Sequence, residues 1–200
     1  MKEIRVATAN KNKMRELKQM LEPLGYSVRG TEDLADFDVV EDGDTFEANA
    51  IKKARALCEI TGTATVADDS GLEVDALGKK PGVHSARYAG VVGSDRDRAN
   101  RVKLIEAMRD VPDGERAGRF RCALVYLEPG CDPIVFHGTL EGEIGREERG
   151  DNGFGYDPIF IIPGDGRTAA ELPSDEKNLI SHRGQAVKQL LAFLESHTTE

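Results

Sequence analysis

The chain has 200 residues, of which 36 are acidic and 27 are basic, so its formal net charge at pH 7 is −9. A protein that coats nucleic acid or an anionic membrane usually carries a basic excess, so this balance argues against both kinds of partner. Hydrophobic residues make up 39% of the chain, and no apolar run approaches the ~18 residues of a membrane helix, so we expect a soluble protein.

Cysteine content excludes two common kinds of small stabilised fold. The three cysteines, Cys58, Cys122 and Cys131, are odd in number and contain no CxxC pair. This pattern argues against a disulfide framework and against a four-ligand zinc site. The N-terminus also lacks the apolar segment of a signal peptide. We therefore expect a cytoplasmic protein in a reducing compartment.

The chain opens with a predicted strand, a helix and a second strand. Residues 4–8 form an apolar-rich run typical of a buried strand, and Asn10 is the expected cap of the helix that follows. Gly25 is expected to end this helix, and residues 26–29 predict the second strand. The apolar residues that recur at helical spacing are Met14, Leu17, Leu21 and Leu24.

Two more helices and a buried strand are predicted next. Asp44 and Glu47 have the spacing of a capping box. The helix that they introduce has an apolar face made of Ala50, Ile51, Ala54 and Leu57. Residues 64–67 predict a buried strand that ends in Asp68-Asp69-Ser70-Gly71. A helix over 95–109 is expected to direct inward Ala99, Val102, Ile105 and Met108.

The hydrophobic pattern then changes to that of a sheet. Antiparallel strands are predicted over 119–127, 133–137 and 139–144, with a short strand over 159–162. An amphipathic helix over 185–194 closes the chain. This order predicts a single mixed α/β domain over 1–200, built around a twisted, partly antiparallel sheet and divided into two lobes with a central cleft.

Residues 31–51, called the acidic segment below, contain eight carboxylates and no Lys or Arg, and so carry −8 of the net charge of −9. Most of these acids are expected to lie in a solvated loop. One carboxylate near residues 41–46 could share a cation with Asp69. The eight acids are Glu32, Asp33, Asp36, Asp38, Glu41, Asp42, Asp44 and Glu47.

Two segments place polar side chains beside predicted strands. The chain has no GxxxxGK[ST] loop, but Thr8-Ala9-Asn10-Lys11-Asn12-Lys13 opens a helix whose N-terminus could bind an anion. Spacing alone favours the alternative of a capped helix with solvated lysines. The two carboxylates of Asp68-Asp69-Ser70-Gly71 suit a hard cation such as Mg²⁺. The alternative there is an ordinary Asp-rich turn.

Two later segments could contact a planar base and its oxygens. Phe154-Gly155-Tyr156-Asp157-Pro158 places aromatic faces beside a flexible backbone, although an aromatic turn that fills the core is equally compatible. Lys177, His182 and Arg183 lie within seven residues, and Arg183 has the fork geometry that suits carbonyl or phosphate oxygens.

Six polar blocks, taken in order over residues 8–183, resemble the inosine/xanthosine triphosphate pyrophosphatases. Those enzymes hydrolyse deaminated purine nucleoside triphosphates to the monophosphate and pyrophosphate. His84 departs from the family pattern, which often has an aromatic residue there. The blocks are Thr8-x-Asn10-x-x-Lys13; Glu41-x-Gly43-x-Thr45-Phe46 with Asn49-Ala50-x-x-Lys53-Ala54; Asp68-Asp69-Ser70-Gly71-Leu72; Pro81-Gly82-x-x-Ser85-Ala86-Arg87-Tyr88; Phe154-Gly155-Tyr156-Asp157-Pro158; and Lys177-Asn178-x-x-Ser181-His182-Arg183.

The resemblance implies a role for each candidate residue. It implies that Glu41 and Asp69 ligate one or more Mg²⁺ ions per subunit, and that Asp69 also accepts a proton from the attacking water. It implies substrate contacts for the remaining candidates. These are Thr8, Ala9, Asn10, Lys11, Asn12, Lys13 and Lys53 at the triphosphate, Ser70 at the substrate, Phe154, Gly155, Tyr156 and Asp157 around the base, and Lys177, His182 and Arg183 at its oxygens or the phosphates.

The resemblance further implies a homodimer that acts on a small nucleotide and cleanses the nucleotide pool, with neither nucleic acid nor membrane as a partner. Two alternatives remain. A related pyrophosphatase with a pyrimidine preference would keep the chemistry, and the block from Lys177 to Arg183 argues against it. A nucleotide sensor without turnover belongs to another class, and the presence of Glu41 and Asp69 argues against it. A plain acidic scaffold leaves the ordered polar blocks unexplained.

Overall fold

A computed structural model describes residues 2–34 and 37–197 of the chain. Asp36, one of the eight acids of the acidic segment, lies outside the described residues. Among the described residues, the helices are all too short or too polar to cross a membrane.

The strands form one mixed sheet. They are β1 (Lys2–Val6), β2 (Tyr26–Arg29), β3 (Thr65–Val74), β4 (Ala117–Leu127), β5 (Ile134–Ile144) and β6 (Phe160–Ile161). Their order in the sheet is β2-β1-β3-β4-β5-β6. Strand β1 pairs in parallel with β2 and with β3, whereas β5 and β6 pair antiparallel. The predicted α/β class with a partly antiparallel sheet is therefore confirmed.

The described part of the chain forms five α-helices: α1 (Lys11–Leu21), α2 (Phe46–Thr61), α3 (Arg96–Ala107), α4 (Ser174–Ile180) and α5 (His182–Ser196). Asn10 caps α1 as predicted. The capping box predicted at Asp44 is wrong, because Asp44 lies one residue too early. The hydroxyl of Thr45 accepts a hydrogen bond from the backbone N of Ala48 at 3.1 Å and caps α2 instead.

The described residues divide into two compact units, in agreement with the two predicted lobes. The first unit comprises those within Met1–Asp69, Cys122–Gly138 and Arg183–Glu200, and the second comprises those within Ser70–Arg121 and Thr139–His182. That the two lobes act as one domain with a cleft stays a prediction.

In the first unit, strand β4 has apolar side chains on both faces. Leu124 packs in one cluster with Leu17 of α1 and Leu190 of α5, whereas Val125 packs in another with Leu57 of α2. Consecutive strand residues point to opposite faces, so the sheet here is covered by α1 and α5 on one side and by α2 on the other. The second unit has its own core, which includes Leu72, Leu104, Met108, Phe120, Ile159 and Phe160.

Strand β3 corrects the sequence prediction at its most polar point. The predicted end of the strand at Asp68-Asp69-Ser70-Gly71 is wrong, and so is the alternative of an Asp-rich turn, since β3 continues through these residues to Val74. Both aspartates are buried. A strand can continue through two buried carboxylates only if each charge finds a partner, and the partners come from helices distant in sequence. The strands predicted over 133–137 and 139–144 are likewise one strand, β5.

The predicted inner face of α3 is correct only in part. Met108, just beyond the end of the helix, is buried and Ile105 packs partly against the core, but Val102 is 55% exposed. The buried residues within the helix are Asn100 and Leu104. The polar Asn100 lies inside because its amide binds main-chain groups: its Oδ1 accepts from the N of Ala89 at 2.7 Å, and its Nδ2 donates to two carbonyls. A count of apolar residues overlooks a side chain of this kind.

Two substitutions on α3 test which face is buried. Leu104→Ala should lower the free energy of unfolding by about 2–5 kcal/mol, because it leaves a cavity in the core of the second unit. Val102→Ala should change it by less than about 0.5 kcal/mol, because its side chain faces solvent. Urea denaturation of both variants gives the comparison. Equal losses, or a larger loss for Val102→Ala, would contradict the observed orientation of the helix.

Candidate active site

The carboxylate of Asp68 is the centre of a buried group of side chains in the first unit, called the Asp68 cluster: Lys13, Glu16, Asp68, Cys122 and Arg183. Lys13 of α1 forms an ion pair with Oδ1 of Asp68. Arg183 of α5 places its Nε 3.3 Å from Oδ2 and also pairs with Glu16. The thiol of Cys122 lies 3.2 Å from the same Oδ2 and donates to it. Both oxygens of Asp68 therefore have partners.

Charge pairing sets the protonation states within the Asp68 cluster. Burial disfavours ionisation of Asp68, but the attraction of Arg183 and Lys13 outweighs it and holds the pKa of Asp68 well below its usual value. Burial likewise opposes the charge of Arg183, while Asp68 and Glu16 raise its pKa. Burial and the charge of Asp68 both raise the pKa of Cys122. Asp68 is consequently held as an anion by the side chains of Lys13 and Arg183.

Asp69 points to the opposite face of β3 and meets a second lysine. The Nζ of Lys53, on α2, lies 2.7 Å from Oε1 of Glu41 and 3.6 Å from Oδ1 of Asp69. It also donates to the main-chain oxygen of Asp68 at 2.7 Å. Two carboxylates from separate parts of the chain thus converge on one ammonium group. The sequence-based grouping of Glu41 with Asp69 corresponds to this arrangement.

Asn49 of α2 fixes both the aspartate and the loop that carries Glu41. Its Nδ2 donates to Oδ2 of Asp69 at 3.1 Å, and its Oδ1 accepts from the backbone N of Gly43 at 2.8 Å. A Cβ on residue 43 would lie 2.7 Å from that same oxygen, so only glycine allows the loop to approach. The position of Glu41 is therefore tied to the position of Asp69.

The protonation of this second group responds to its neighbours. Burial lowers the pKa of Lys53, but Asp69 and Glu41 outweigh it, and the net pKa is raised. Burial also raises the pKa of Asp69; Lys53 and Lys13 oppose that rise without cancelling it. Asp69 thus differs from Asp68, whose pKa is lowered. Two adjacent carboxylates in one strand have opposite pKa shifts because they face different surroundings.

The donor set at this position fits a divalent cation. Oε1 of Glu41 and Oδ1 of Asp69 already face one cationic group, the Lys53 ammonium. Mg²⁺ is usually held by one or two protein carboxylates, with waters and substrate phosphates completing its octahedron. Within residues 2–34 and 37–197, no three His, Cys, Asp or Glu side chains gather into a metal-binding group. The chain therefore suits an ion that shares its coordination with a ligand.

The N-terminus of α1 is capped by short polar side chains. Asn10 accepts hydrogen bonds from the backbone N of Asn12 at 2.9 Å and of Lys13 at 3.3 Å, and the Thr8 hydroxyl accepts from the N of Asn10 at 3.1 Å. This is the capped helix of the alternative interpretation. Ala9 and Lys11 are exposed. Lys13, however, is directed to Asp68 rather than to solvent, so its charge lies beside β3.

In the second unit, Asp157 joins the segment Phe154-Gly155-Tyr156-Asp157-Pro158, called the aromatic loop below, to a buried lysine. Its Oδ2 accepts from the Nζ of Lys177 at 2.6 Å and from the backbone N of Phe154 at 2.8 Å. The same Nζ lies 5.0 Å from the centre of the Phe154 ring. Tyr156 is buried and donates its hydroxyl to the carbonyl of Ser85 at 2.8 Å. Phe154, Asp157 and Lys177 therefore lie together, while Tyr156 packs into the core.

Two further candidates of the second unit have distinct surroundings. Ser70 is partly buried within β3. His182 begins α5 and is buried, with its ring stacked on Phe120 at a centroid distance of 4.9 Å. In the first unit, Arg183 is 1% exposed and engaged with Glu16 and Asp68. The contacts of all three residues with a substrate stay predictions.

Two features were not predicted from the sequence: the ion pair of Glu16 and the polar contacts of α3 with the aromatic loop. Glu16 lies three residues after Lys13, on the same face of α1, and pairs with Arg183. Asp97 and Arg101 of α3 bind Gly155. A single carboxylate on an amphipathic helix gives no signal by itself, because its partner is distant in sequence. Only a buried position for a charged residue indicates such a role.

Most acids of the acidic segment that form ion pairs do so at the surface. Asp33 pairs with Arg5 at 2.6 Å and Asp42 with Lys52 at 2.7 Å, and both carboxylates are exposed. Exposed pairs of this kind contribute little to stability, because water and salt screen the attraction between the charges. Glu41 is less exposed than either and faces Lys53. Its neighbourhood separates it from the other carboxylates of the segment.

Comparison with known proteins gives consistent matches over nearly the whole chain. Residues 4–193 match the model of the Ham1 family. A Shigella flexneri protein named dITP/XTP pyrophosphatase is 50% identical over 97% of this chain and 98% of its own length. A protein of the same name from Bacillus licheniformis is 48% identical over 98% and 99%. The structure of a HAM1 protein from Coxiella burnetii superposes with a TM-score of 0.87, at 44% identity, over 98% of this chain and 100% of that one.

Neutralising Asp68 should cost stability in a pH-dependent way. Asp68→Asn leaves Lys13 and Arg183 without their shared anion, and removal of one partner from a buried pair costs about 3–5 kcal/mol. The folded pKa of Asp68 lies below its unfolded value of about 3.9, so its stabilisation is present above that value and is lost as the pH falls through the folded pKa.

Urea denaturation of wild type and Asp68→Asn at pH 7 and at a series of pH values below 4 measures this difference. It should be largest at pH 7 and should shrink on acidification. Asp44→Asn, which changes an exposed acid, is the control and should show little difference at any pH. A stable Asp68→Asn variant at pH 7, or a gap that widens on acidification, would refute the assignment.

Proposed function

The chain belongs to the Ham1 family, and from this premise we propose that it hydrolyses deaminated purine nucleoside triphosphates (dITP, ITP, dXTP and XTP) to the monophosphate and pyrophosphate. The observation that carries the proposal is the convergence of Glu41, Asp69 and Lys53, a set that combines carboxylates for a cation with a cation for phosphate. Relatives about half identical over nearly their full length, named dITP/XTP pyrophosphatases, support the same reaction.

We propose Mg²⁺ as the cofactor, with Glu41 and Asp69 as its protein ligands. When bound, the ion neutralises phosphate oxygens and so lowers the charge that a nucleophile must approach. We propose that Lys53 contributes a positive charge to a phosphate oxygen, since its ammonium already lies beside both carboxylates.

Phosphate binding and activation of water are assigned to the first unit. Lys13 and the segment from Thr8 to Asn12 would hold the phosphates at the start of α1, where helix N–H groups favour an anion. Asp69 would accept a proton from the attacking water, a role that suits a carboxylate with a raised pKa. Such assistance typically gives a factor of about 10²–10⁴ in rate. Asp68 keeps its pairs and orients Lys13.

Recognition of the base is assigned to the aromatic loop of the second unit. The Phe154 ring would stack on the purine, with Gly155, Tyr156 and Asp157 shaping the loop. The Lys177 ammonium lies beside the ring and would donate to a base oxygen. Ser70, His182 and Arg183 complete the proposed set of substrate contacts. Hypoxanthine and xanthine carry a hydrogen-bond acceptor at position 6, whereas adenine carries a donor, so ATP would leave buried donors unsatisfied.

We further propose that this activity removes non-standard purine nucleotides from the cytoplasmic pool and so keeps them out of DNA and RNA. A homodimer is the oligomeric state that the resemblance implies, and it stays a prediction. The substrate in this proposal is a small nucleotide rather than a nucleic acid or a membrane.

A nucleotide panel with product analysis tests the proposed reaction. In Mg²⁺, the protein should cleave dITP, ITP and XTP with release of pyrophosphate, and kcat/KM for ATP should be lower by up to about 10⁴-fold. Chelation with EDTA should abolish turnover, and added Mg²⁺ should restore it. Equal rates on ATP and ITP would refute the specificity, and release of orthophosphate alone would refute the reaction. Tight ITP binding without hydrolysis would favour the sensor alternative.

Two substitutions separate the proposed roles of the carboxylates. Asp69→Asn should lower kcat by at least about 10²-fold, because it removes the proton acceptor. Glu41→Gln should raise the Mg²⁺ concentration for half-maximal rate by about tenfold or more, because a ligand is lost. Asp44→Asn, an exposed acid near Glu41, should change neither quantity. Wild-type turnover by Asp69→Asn, measured as pyrophosphate release, would exclude it as the base.

A further inference from the structure

Two side chains of helix α3 bind the aromatic loop of the second unit. Neither belongs to the residues proposed above to contact the substrate. Asp97 and Arg101 lie one helical turn apart on α3, and both reach Gly155. Oδ2 of Asp97 accepts from the backbone N of Gly155 at 3.0 Å, and an Nη1 of Arg101 donates to the carbonyl of Gly155 at 2.9 Å. Two charged side chains thus bind the two peptide groups on either side of one glycine.

These bonds restrict the backbone on which Phe154 is carried. A peptide group is planar, so fixing the N–H of Gly155 also fixes the carbonyl of Phe154. The backbone N of Phe154 is held independently by Oδ2 of Asp157 at 2.8 Å. Gly155 has a φ of +60°, which side-chain-bearing residues rarely adopt, so its backbone conformation is specific to this turn. Phe154 is consequently held on both sides.

The two side chains are themselves held in place. Oδ1 of Asp97 pairs with Arg96 at 3.0 Å, which leaves its Oδ2 directed to Gly155. The other Nη of Arg101 pairs with Glu148 at 2.9 Å, and the Arg101 side chain is largely buried. Charge-assisted bonds are stronger than neutral ones, and orientation of both partners lowers the entropic cost of forming them. Both side chains are therefore oriented by a second partner for their bonds to Gly155.

We propose that Asp97 and Arg101 are positioning residues for recognition of the base: they hold the peptide groups around Gly155 so that the Phe154 ring is ready to stack on a purine. This inference rests on the proposed function, because it assigns the aromatic loop to the base. The proposed function assigns this pair no contact with the phosphates or with the attacking water. Its loss should therefore weaken binding of the nucleoside part and leave the chemical step unchanged.

Steady-state kinetics with ITP provide the first test. Asp97→Ala should raise KM about tenfold, in keeping with loss of a charge-assisted hydrogen bond, with kcat within about twofold of wild type. Asp97→Asn keeps a weaker acceptor and should give an intermediate KM. Arg101→Lys keeps the charge but not the two-pronged geometry and should raise KM less than Asp97→Ala does. Asp95→Asn and Arg98→Lys, at exposed positions of the same segment, are matched controls.

A second readout does not depend on turnover. Exchange of the Gly155 amide hydrogen, followed by NMR, should be about tenfold faster in Asp97→Ala than in wild type and unchanged in both controls. Calorimetric binding of inosine monophosphate should weaken with the rise in KM, whereas inhibition by inorganic pyrophosphate, which has no base, should not change. If Asp97→Ala unfolds in urea far more easily than wild type, Asp97→Asn and Arg101→Lys carry the comparison.

The outcomes separate this inference from the proposed function. A wild-type protein that fails to cleave ITP would overturn the proposed function. If wild type cleaves ITP while the variants show faster Gly155 exchange and an unchanged KM, the pair only supports the loop and the inference is wrong. A loss of kcat with an unchanged KM, or equal effects in the controls, would also overturn it.

Discussion

Two consecutive aspartates in the middle of a buried strand impose the main constraint on the first unit. A buried carboxylate is costly unless it is paired, and neighbouring strand residues point to opposite faces. Asp68 and Asp69 therefore need separate partners on the two sides of β3. Lys13 and Arg183 supply them on the side of α1 and α5, and Lys53 supplies one on the side of α2. The charges thus specify which helix covers which face.

The same pairing gives the two aspartates different chemical properties. Asp68 is surrounded by cations on both of its oxygens, so its pKa is lowered and it remains an anion. Asp69 shares the ammonium of Lys53 with Glu41, and burial raises the pKa of Asp69. One carboxylate is suited to hold its neighbours, and the other is suited to accept a proton or to join a metal ion. The two properties differ because Asp68 and Asp69 are consecutive residues of β3 and so face opposite sides of the sheet.

In the second unit, buried polar bonds have the corresponding role. Asp157 joins Phe154 to Lys177, Tyr156 is anchored to Ser85, and Gly155 is bound by two side chains of α3. The partners lie on α3, on α4 and at Ser85, and one bond forms within the loop itself, so the loop keeps its shape without being part of a strand or an α-helix. Buried polar groups with satisfied partners favour a single conformation. This is the property that an aromatic platform for a planar ligand requires.

The sequence by itself determined the fold class, most of the helices and strands, and the family, because hydrophobic periodicity and the order of the polar blocks are local properties of the chain. It suggested that Glu41 lies near Asp69. It ended strand β3 too early, placed Val102 on the buried face of α3, and missed Glu16 and the contacts of Asp97 and Arg101 with Gly155. Only the tertiary structure decided these points, because a charged or polar side chain is accepted inside a protein when a partner distant in sequence binds it. The net charge of −9 follows from the sequence, whereas the ion pairs of each carboxylate depend on the cationic side chains that folding brings close to it.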